Sequence, residues 1–320
     1  MFSPFRAGLR LTSRKIFLGK KRTKPFGKSG IPVVLLFGIG FGIFNAAPVL
    51  AQKVSLASYY ESLFAPRLTG VKPLTTHPGS DIFPTLSPNG KWLVFASNRR
   101  QNFDIWAKNI KTGEMVPLTT YKSTDTQPAW SPNGRQIVFV SMRSDGLGDL
   151  FLMDVRESHG VLRRKKMIHL NNYLGYDGEP VFSADGRWIA FVSDRQTGRR
   201  HIWLLQLKSR KLIQVTAFEA FSPAFSPDGR WLSFTRFVNG RWQIVLVPFS
   251  IGDFPVQEKA GIPIYESKTP VGFSAWENDS LMLMVSYPYD TNGDGAVTIS
   301  DNGLILECGL PASLNRKNYE

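Results

Sequence analysis

Along this chain the apolar and polar positions repeat with a long period. Four short segments, Ser87 to Lys91, Ser131 to Arg135, Ser183 to Arg187 and Ser226 to Arg230, share one order of residue types at spacings of 44, 52 and 43 residues. That order is Ser, then Pro or Ala, then Asn or Asp, then Gly, then Lys or Arg. Each copy has a proline three residues upstream (Pro84, Pro128, Pro180, Pro223) and a short apolar run downstream that ends in Phe95, Phe139, Phe191 or Phe234. A second apolar patch follows (Ile105 and Trp106; Leu150 and Phe151; Ile202 and Trp203; Ile244 and Val245), then a weaker run near Leu118-Thr119, Leu170-Asn171 and Val215-Thr216. Alternating apolar residues suit strands, and Asn-Gly or Asp-Gly supplies positive φ for a two-residue hairpin turn, so four strands are predicted per period.

A four-stranded sheet of this size cannot bury both faces alone, and successive sheets that stack and close radially make a β-propeller. A β-sandwich is the competing all-β solution, but nothing in it calls for a whole repeated period. A fifth, degenerate copy has Pro270 to Ser274 as inner strand, Leu281 to Ser286 as the next and Leu304 to Leu306 as the third. Its outermost strand is missing, and Val71 to Thr75 has the character of an orphan outer strand that could close the ring. The fold class expected is therefore all-β, a β-propeller of four-stranded blades. Five blades are favoured, and six follow if residues 53–69 add a piece.

The repeat Pro-x-[Leu/Trp/Phe]-Ser-[Pro/Ala]-[Asn/Asp]-Gly-[Arg/Lys], followed by x-[Ile/Leu]-x-Phe-x-Ser, resembles the WD-like repeat of the TolB family of β-propellers. The resemblance is clear over about residues 70–250. It implies a propeller that works outside the cytoplasm as a protein-binding module. The same repeat also occurs in peptidase propeller domains and in secreted proteins of other roles, and fold does not carry function by itself.

Charge changes the reading of the N-terminus. Of the 39 Lys and Arg, nine lie within the first 52 residues, which hold no Asp or Glu; the rest of the chain has 30 basic against 25 acidic residues. That remainder gives no nucleic-acid signal. Nine basic residues, an uncharged stretch from Ile31 to Ala51 and a Val49-Leu50-Ala51 end have the layout of a signal peptide cut before Gln52. An uncleaved inner-membrane anchor is the alternative, and it would be the chain's one contact with a membrane. The expected organisation is a signal peptide or anchor over 1–51, a lead segment over 52–69, the propeller over 70–310 and a tail over 311–320. The expected location is periplasmic or extracellular.

Candidate chemistry is sparse. The single cysteine, Cys308, excludes an intrachain disulfide and a cysteine zinc cluster. The four histidines, His77, His159, His169 and His201, show no zinc spacing. There is no Gly-x-Ser-x-Gly elbow, so the chain reads as non-enzymatic. A lyase or hydrolase using the central channel, or a membrane-tethered sensor, is the alternative. The segment from Asp290 to Asp301 matches a calcium loop: oxygen donors Asp290, Asn292, Asp294, Thr298 and Asp301, the carbonyl of Ala296, and the turn glycine Gly295. The short Asp301 in place of Glu implies weak, structural Ca2+ binding, and an acidic Asn-Gly turn is the plainer alternative.

The loops entering the inner strands converge on the channel mouth, making Asp81, Asp125, Gln127, Asp177 and Glu179 candidates for contact with a protein partner of the cell envelope. The competing reading is that each Asp caps its own turn. Arg163-Arg164-Lys165-Lys166 lies in the insertion that lengthens the second period. It is read either as a contact for an anionic surface or as a solvated hairpin tip.

Overall fold

The computed structural model describes residues 73–287 and 304–310. They form five antiparallel sheets, the blades of a β-propeller. Blade 1 is β1 (Asp81–Leu86), β2 (Trp92–Arg100), β3 (Asn102–Asn109) and β4 (Met115–Pro117). Blade 2 is β5 (Asp125–Trp130), β6 (Gln136–Ser141), β7 (Asp149–Ser158) and β8 (Val161–His169). Blade 3 is β9 (Asp177–Phe182), β10 (Trp188–Ser193), β11 (His201–Gln206) and β12 (Leu212–Gln214). Blade 4 is β13 (Phe221–Phe225), β14 (Trp231–Val238), β15 (Arg241–Pro248) and β16 (Ile262–Ser267). Blade 5 is β17 (Val271–Asn278), β18 (Leu281–Ser286) and β19 (Leu304–Gly309), three-stranded among the described residues.

Each sheet is a meander in chain order, inner strand first. The core lies between blades. Trp92, Val94, Ala96 and Ile105 of blade 1 pack with Ile137, Phe139 and Met153 of blade 2. Val138, Leu150 and Leu152 then meet Phe182, Ile189 and Phe191 of blade 3, while Trp188, Ala190 and Leu204 meet Leu232, Phe234 and Val245 of blade 4. The middle strand of each blade thus buries both faces, which is why its sequence reads as a nearly continuous apolar run. Burying one such Phe contributes about 1.5–3 kcal/mol.

The repeated turn differs from the expected two-residue hairpin. Five residues, 87–91, join β1 to β2, and only the glycine takes positive φ, at 69° for Gly90 and 66° for Gly134. Ser87 closes the turn: its N–H donates to the Trp92 carbonyl at 2.8 Å, while its Oγ accepts from the Trp92 N–H at 2.9 Å. Ser131, Ser183 and Ser226 repeat the same bond to Gln136, Trp188 and Trp231. The serine is therefore as diagnostic as the Asn-Gly pair, because it satisfies a strand-end N–H that the loop would otherwise bury unpaired.

The expected closing strand is a second difference. Of Val71 to Thr75, only residues 73–75 are described; they form no strand, and the Leu74 carbonyl accepts a hydrogen bond from Lys108 Nζ of blade 1 at 2.7 Å. Among the described residues β19 pairs with β18 alone. No helix among the described residues is long and apolar enough to cross a membrane, and residues 1–51 lie outside them.

Candidate functional site

In an antiparallel meander the start of strand one, the end of strand two, the start of strand three and the end of strand four share one end of the blade. Asp81 opposite Ser97, and Ser97 opposite Asp104, show this in blade 1. All the loops that lead into inner strands therefore gather at one end of the propeller, together with the loops between second and third strands. The candidate residues sit there.

The aspartates occupy one repeated arrangement. Arg99 Nη2 reaches both oxygens of Asp81 at 2.9 and 3.1 Å, Arg143 those of Asp125 at 2.8 and 2.9 Å, and Arg195 those of Asp177 at 2.8 Å. Each arginine Nε also donates to the serine two residues before it: Ser97, Ser141 or Ser193. Its guanidinium lies over aromatic rings, with Arg99 at 4.7 Å from the Trp106 centroid and Arg143 at 3.7 Å from that of Tyr121. Asp125 and Asp177 are fully buried. Burial pushes the Asp177 carboxyl up, while Arg195 and Ser193 pull it down. These aspartates tie the first strand to the end of the second rather than capping their own turns.

The Asp and the Arg stand 18 residues apart in all three blades. That spacing, together with Ser-x-Arg after the Phe run, is the signal that would have found Arg99 and Arg143. Blade 4 departs from it: Ala220 precedes β13, and Arg236 takes the place of the serine. Its guanidinium turns outward to Gln243 Oε1 at 2.9 Å and to the carbonyls of Glu258 and Ala260.

Two residues after each of these aspartates, and after Ala220 in blade 4, the inner strand bulges. Phe83, Gln127, Glu179 and Ser222 hold φ of 52°, 50°, 54° and 50° in the left-handed region, each just before the repeated proline. Such a backbone costs about 1–3 kcal/mol in a non-glycine residue and persists only where surroundings impose it. The surroundings are the neighbouring blades. Gln127 Oε1 accepts from the Glu179 N–H at 2.8 Å, and Glu179 Oε2 accepts from the Ser222 N–H at 2.7 Å and from its hydroxyl at 3.1 Å. A chain of side chain to backbone bonds thus runs from blade 2 to blade 3 to blade 4. Burial pushes the Glu179 carboxyl up, against the two bonds from Ser222 and the nearby charge of Arg200. Arg200 lies 4.4 Å over the ring of Tyr176, whose hydroxyl burial also pushes up.

The third-strand positions are equally engaged. Asp104 accepts from the Thr119 hydroxyl at 3.2 Å, and the ring nitrogen Nε2 of His169 lies 3.1 Å from Asp149. His201 is buried, its ring nitrogens 3.0 Å from the Thr216 carbonyl and 2.9 Å from the Thr197 hydroxyl. Asp290, Asn292, Asp294, Ala296, Thr298 and Asp301 lie outside the described residues.

Large apolar side chains stand exposed at this same end. They are Tyr121 (44%), Leu147 (55%), Leu174 (85%) and Phe237 (52%), on four separate loops or hairpins. Sequence reasoning missed them because each is a lone apolar residue in a polar loop.

A sequence profile of the TolB beta propeller domain matches residues 67–164. No curated protein matches the chain by sequence. Among solved structures, TolB from Acinetobacter baumannii aligns with a TM-score of 0.52 at 17% identity, covering 75% of this chain and 57% of that one. A TolB candidate from Agrobacterium tumefaciens gives 0.56 at 18%, covering 74% and 86%. Hydrazine synthase of Kuenenia stuttgartiensis gives 0.54 at 15%, covering 74% and 38%. The chain therefore spans a little over half the length of the Acinetobacter protein. The likeness at these identities is one of fold, shared by TolB proteins and by an enzyme alike.

Proposed function

We propose that this chain, a TolB-like β-propeller, is an exported, noncatalytic scaffold that binds a protein partner of the cell envelope. The docking face is the end where the blade loops gather. One observation carries the reading: Tyr121, Leu147, Leu174 and Phe237 all project there, while the polar groups of the channel mouth are bonded to one another. Exposed apolar side chains in a polar rim mark interaction surfaces. An enzymatic channel needs polar groups free to meet a substrate, and Gln127, Glu179, Asp125 and Asp177 are instead used to hold blades together. Export rests on the order of basic, apolar and small residues over 1–51. The acidic loop from Asp290 to Asp301 adds a weak structural Ca2+ site in blade 5, on the strength of its ligand spacing.

The test is site-specific photo-crosslinking in whole cells, with the crosslinker at position 147 or 174 and, as control, at Lys111 on the opposite end. A discrete adduct from the rim positions alone is expected. Leu147→Asp combined with Leu174→Asp should abolish capture by a crosslinker at Tyr121, with the melting temperature unchanged. Equal adducts from Lys111 and from the rim would show that the partner docks elsewhere.

A further inference from the structure

We propose that the outer hairpin of blade 2 is a docking ribbon for an anionic phospholipid surface, separate from the protein-binding rim. β7 pairs with β6 only as far as Asp154, opposite Gln136. From Val155 onward its one strand partner is β8, so residues 155–164 form a two-stranded ribbon beyond the edge of the blade, turning at His159 and Gly160. The fourth strands of blades 1 and 3 are three residues long, whereas β8 has nine. That of blade 4 has six, so among the described residues no fourth strand is as long as β8.

One face of the ribbon is tied down. Leu162 and Val155 are buried in the core between blades 1 and 2, and Glu157 accepts from Lys91 Nζ and from Trp92 Nε1 at 3.1 Å. Arg156 and Arg163 lie on the other face, while Arg164, opposite Val155, continues the pinned face outward. Arg156, Arg163, Arg164, Lys165 and Lys166 are all exposed, and none takes part in an ion pair among the described residues. Arg156 stands directly opposite Arg163 across the ladder. Like charges so placed destabilise a hairpin, and an edge strand needs far fewer cations to discourage pairing. A cross-strand arginine pair at the start of a run of four cations is therefore explained by an anion outside the molecule.

The occupant follows from what the ribbon lacks. Among the described residues no exposed large apolar side chain stands on it, and the cavity of about 170 Å³ beside Leu162 and Glu157 is walled by Trp92, Trp130 and two turns rather than by these cations. Protein interfaces carry buried aromatic or arginine anchors in fitted pockets. Flexible cations of one sign with no pocket suit a diffuse, laterally mobile array of headgroup phosphates.

The experiment is co-sedimentation of the mature chain, beginning at Gln52, with phosphatidylcholine vesicles containing or lacking phosphatidylglycerol. Arg156, Arg163, Arg164, Lys165 and Lys166 are changed together to Gln. As a control, Lys208, Arg210 and Lys211 of the β11–β12 turn are changed to Gln. The ribbon variant should bind phosphatidylglycerol vesicles at least tenfold more weakly than the unaltered chain, and the control variant should bind as the unaltered chain does. A variant with Arg156, Arg163 and Arg164 changed to Lys keeps the charge and should also bind fully, which separates lost charge from lost folding. Vesicles should protect residues 163–166 from trypsin at low salt and not in 0.5 M salt, where the screening length falls to about 4 Å. Equal binding by the ribbon variant and the unaltered chain would overturn the proposal. So would loss of a soluble polyglutamate ligand with vesicle binding intact, which would mark an acidic protein as the partner.

Discussion

The side-chain oxygen of Gln127 accepts a hydrogen bond of 2.8 Å from the backbone N–H of Glu179, in the next blade and 52 residues later. Glu179 in turn holds the N–H of Ser222 in the blade after. Each of the three residues stands at a bulge with positive φ. The strain at the bulges of blades 3 and 4 is thus held by a bond from the preceding blade, and blades 2, 3 and 4 are linked along the channel wall.

Glu179 gives this chain of bonds a pH dependence. Burial raises its folded-state pKa above the unfolded one, so the folded state holds the proton more tightly. Stability contributed by Glu179 is then full below the ordinary carboxylate range and falls as pH rises through the folded pKa. Glu179→Gln removes that dependence while keeping an oxygen for Ser222. Urea unfolding from pH 4 to pH 8 should show the variant gaining on the unaltered protein as pH rises. A constant difference between the two would mean that Glu179 titrates as it does in the unfolded chain.

The buried pair of Asp125 and Arg143 should behave as a unit. Removing one partner leaves an uncompensated buried charge and typically costs about 3–5 kcal/mol. Asp125→Asn and Arg143→Met are each expected to lower the urea midpoint strongly, and the double variant should lose much less than the sum. Strict additivity would show that the pair, despite its 2.8 Å separation, contributes no coupling.

Calcium should stabilise the protein if Asp290, Asn292 and Asp294 share an ion. Extracellular-type loops bind at about 10⁻⁴ to 10⁻³ M, so millimolar calcium is the right range. At a Kd of about 10⁻⁴ M, about 1 mM calcium is about ten times Kd and adds about 1.4 kcal/mol, and about 10 mM adds about 2.7 kcal/mol, a rise visible in the melting temperature. Asp290→Asn with Asp294→Asn should remove the rise, and magnesium should produce less of it. A full calcium shift in the double variant would place the ion elsewhere.

Export should remove the first 51 residues. Amino-terminal sequencing of the protein recovered from cells is expected to begin at or near Gln52. An intact Met1 in the membrane fraction would instead identify residues 31–51 as an anchor.

The sequence by itself determined the blades. Four copies of a Ser-[Pro/Ala]-[Asn/Asp]-Gly turn between alternating apolar runs fix strand order and period, because local turn chemistry and side-chain alternation act within a few residues. Even the degenerate fifth copy was legible, with Val271–Asn278, Leu281–Ser286 and Leu304–Gly309 where its apolar runs lie. What the side chains at the blade ends do was decided only by tertiary structure. Asp81 reads in sequence as a turn cap or a contact for a partner, and it becomes the partner of Arg99 because strand pairing brings together residues 18 apart. Gln127 and Glu179 read in sequence as channel-mouth contacts for a partner, and they are engaged by bonds across blades that no local pattern encodes. Leu174 and the basic run at 163–166 acquire meaning from position alone. One stands on the rim among other exposed apolar tips, and the other on a ribbon whose far side is pinned to blade 1 by Leu162 and Glu157. Which face a residue shares depends on the stacking of whole sheets, a long-range packing outcome that period and composition leave open.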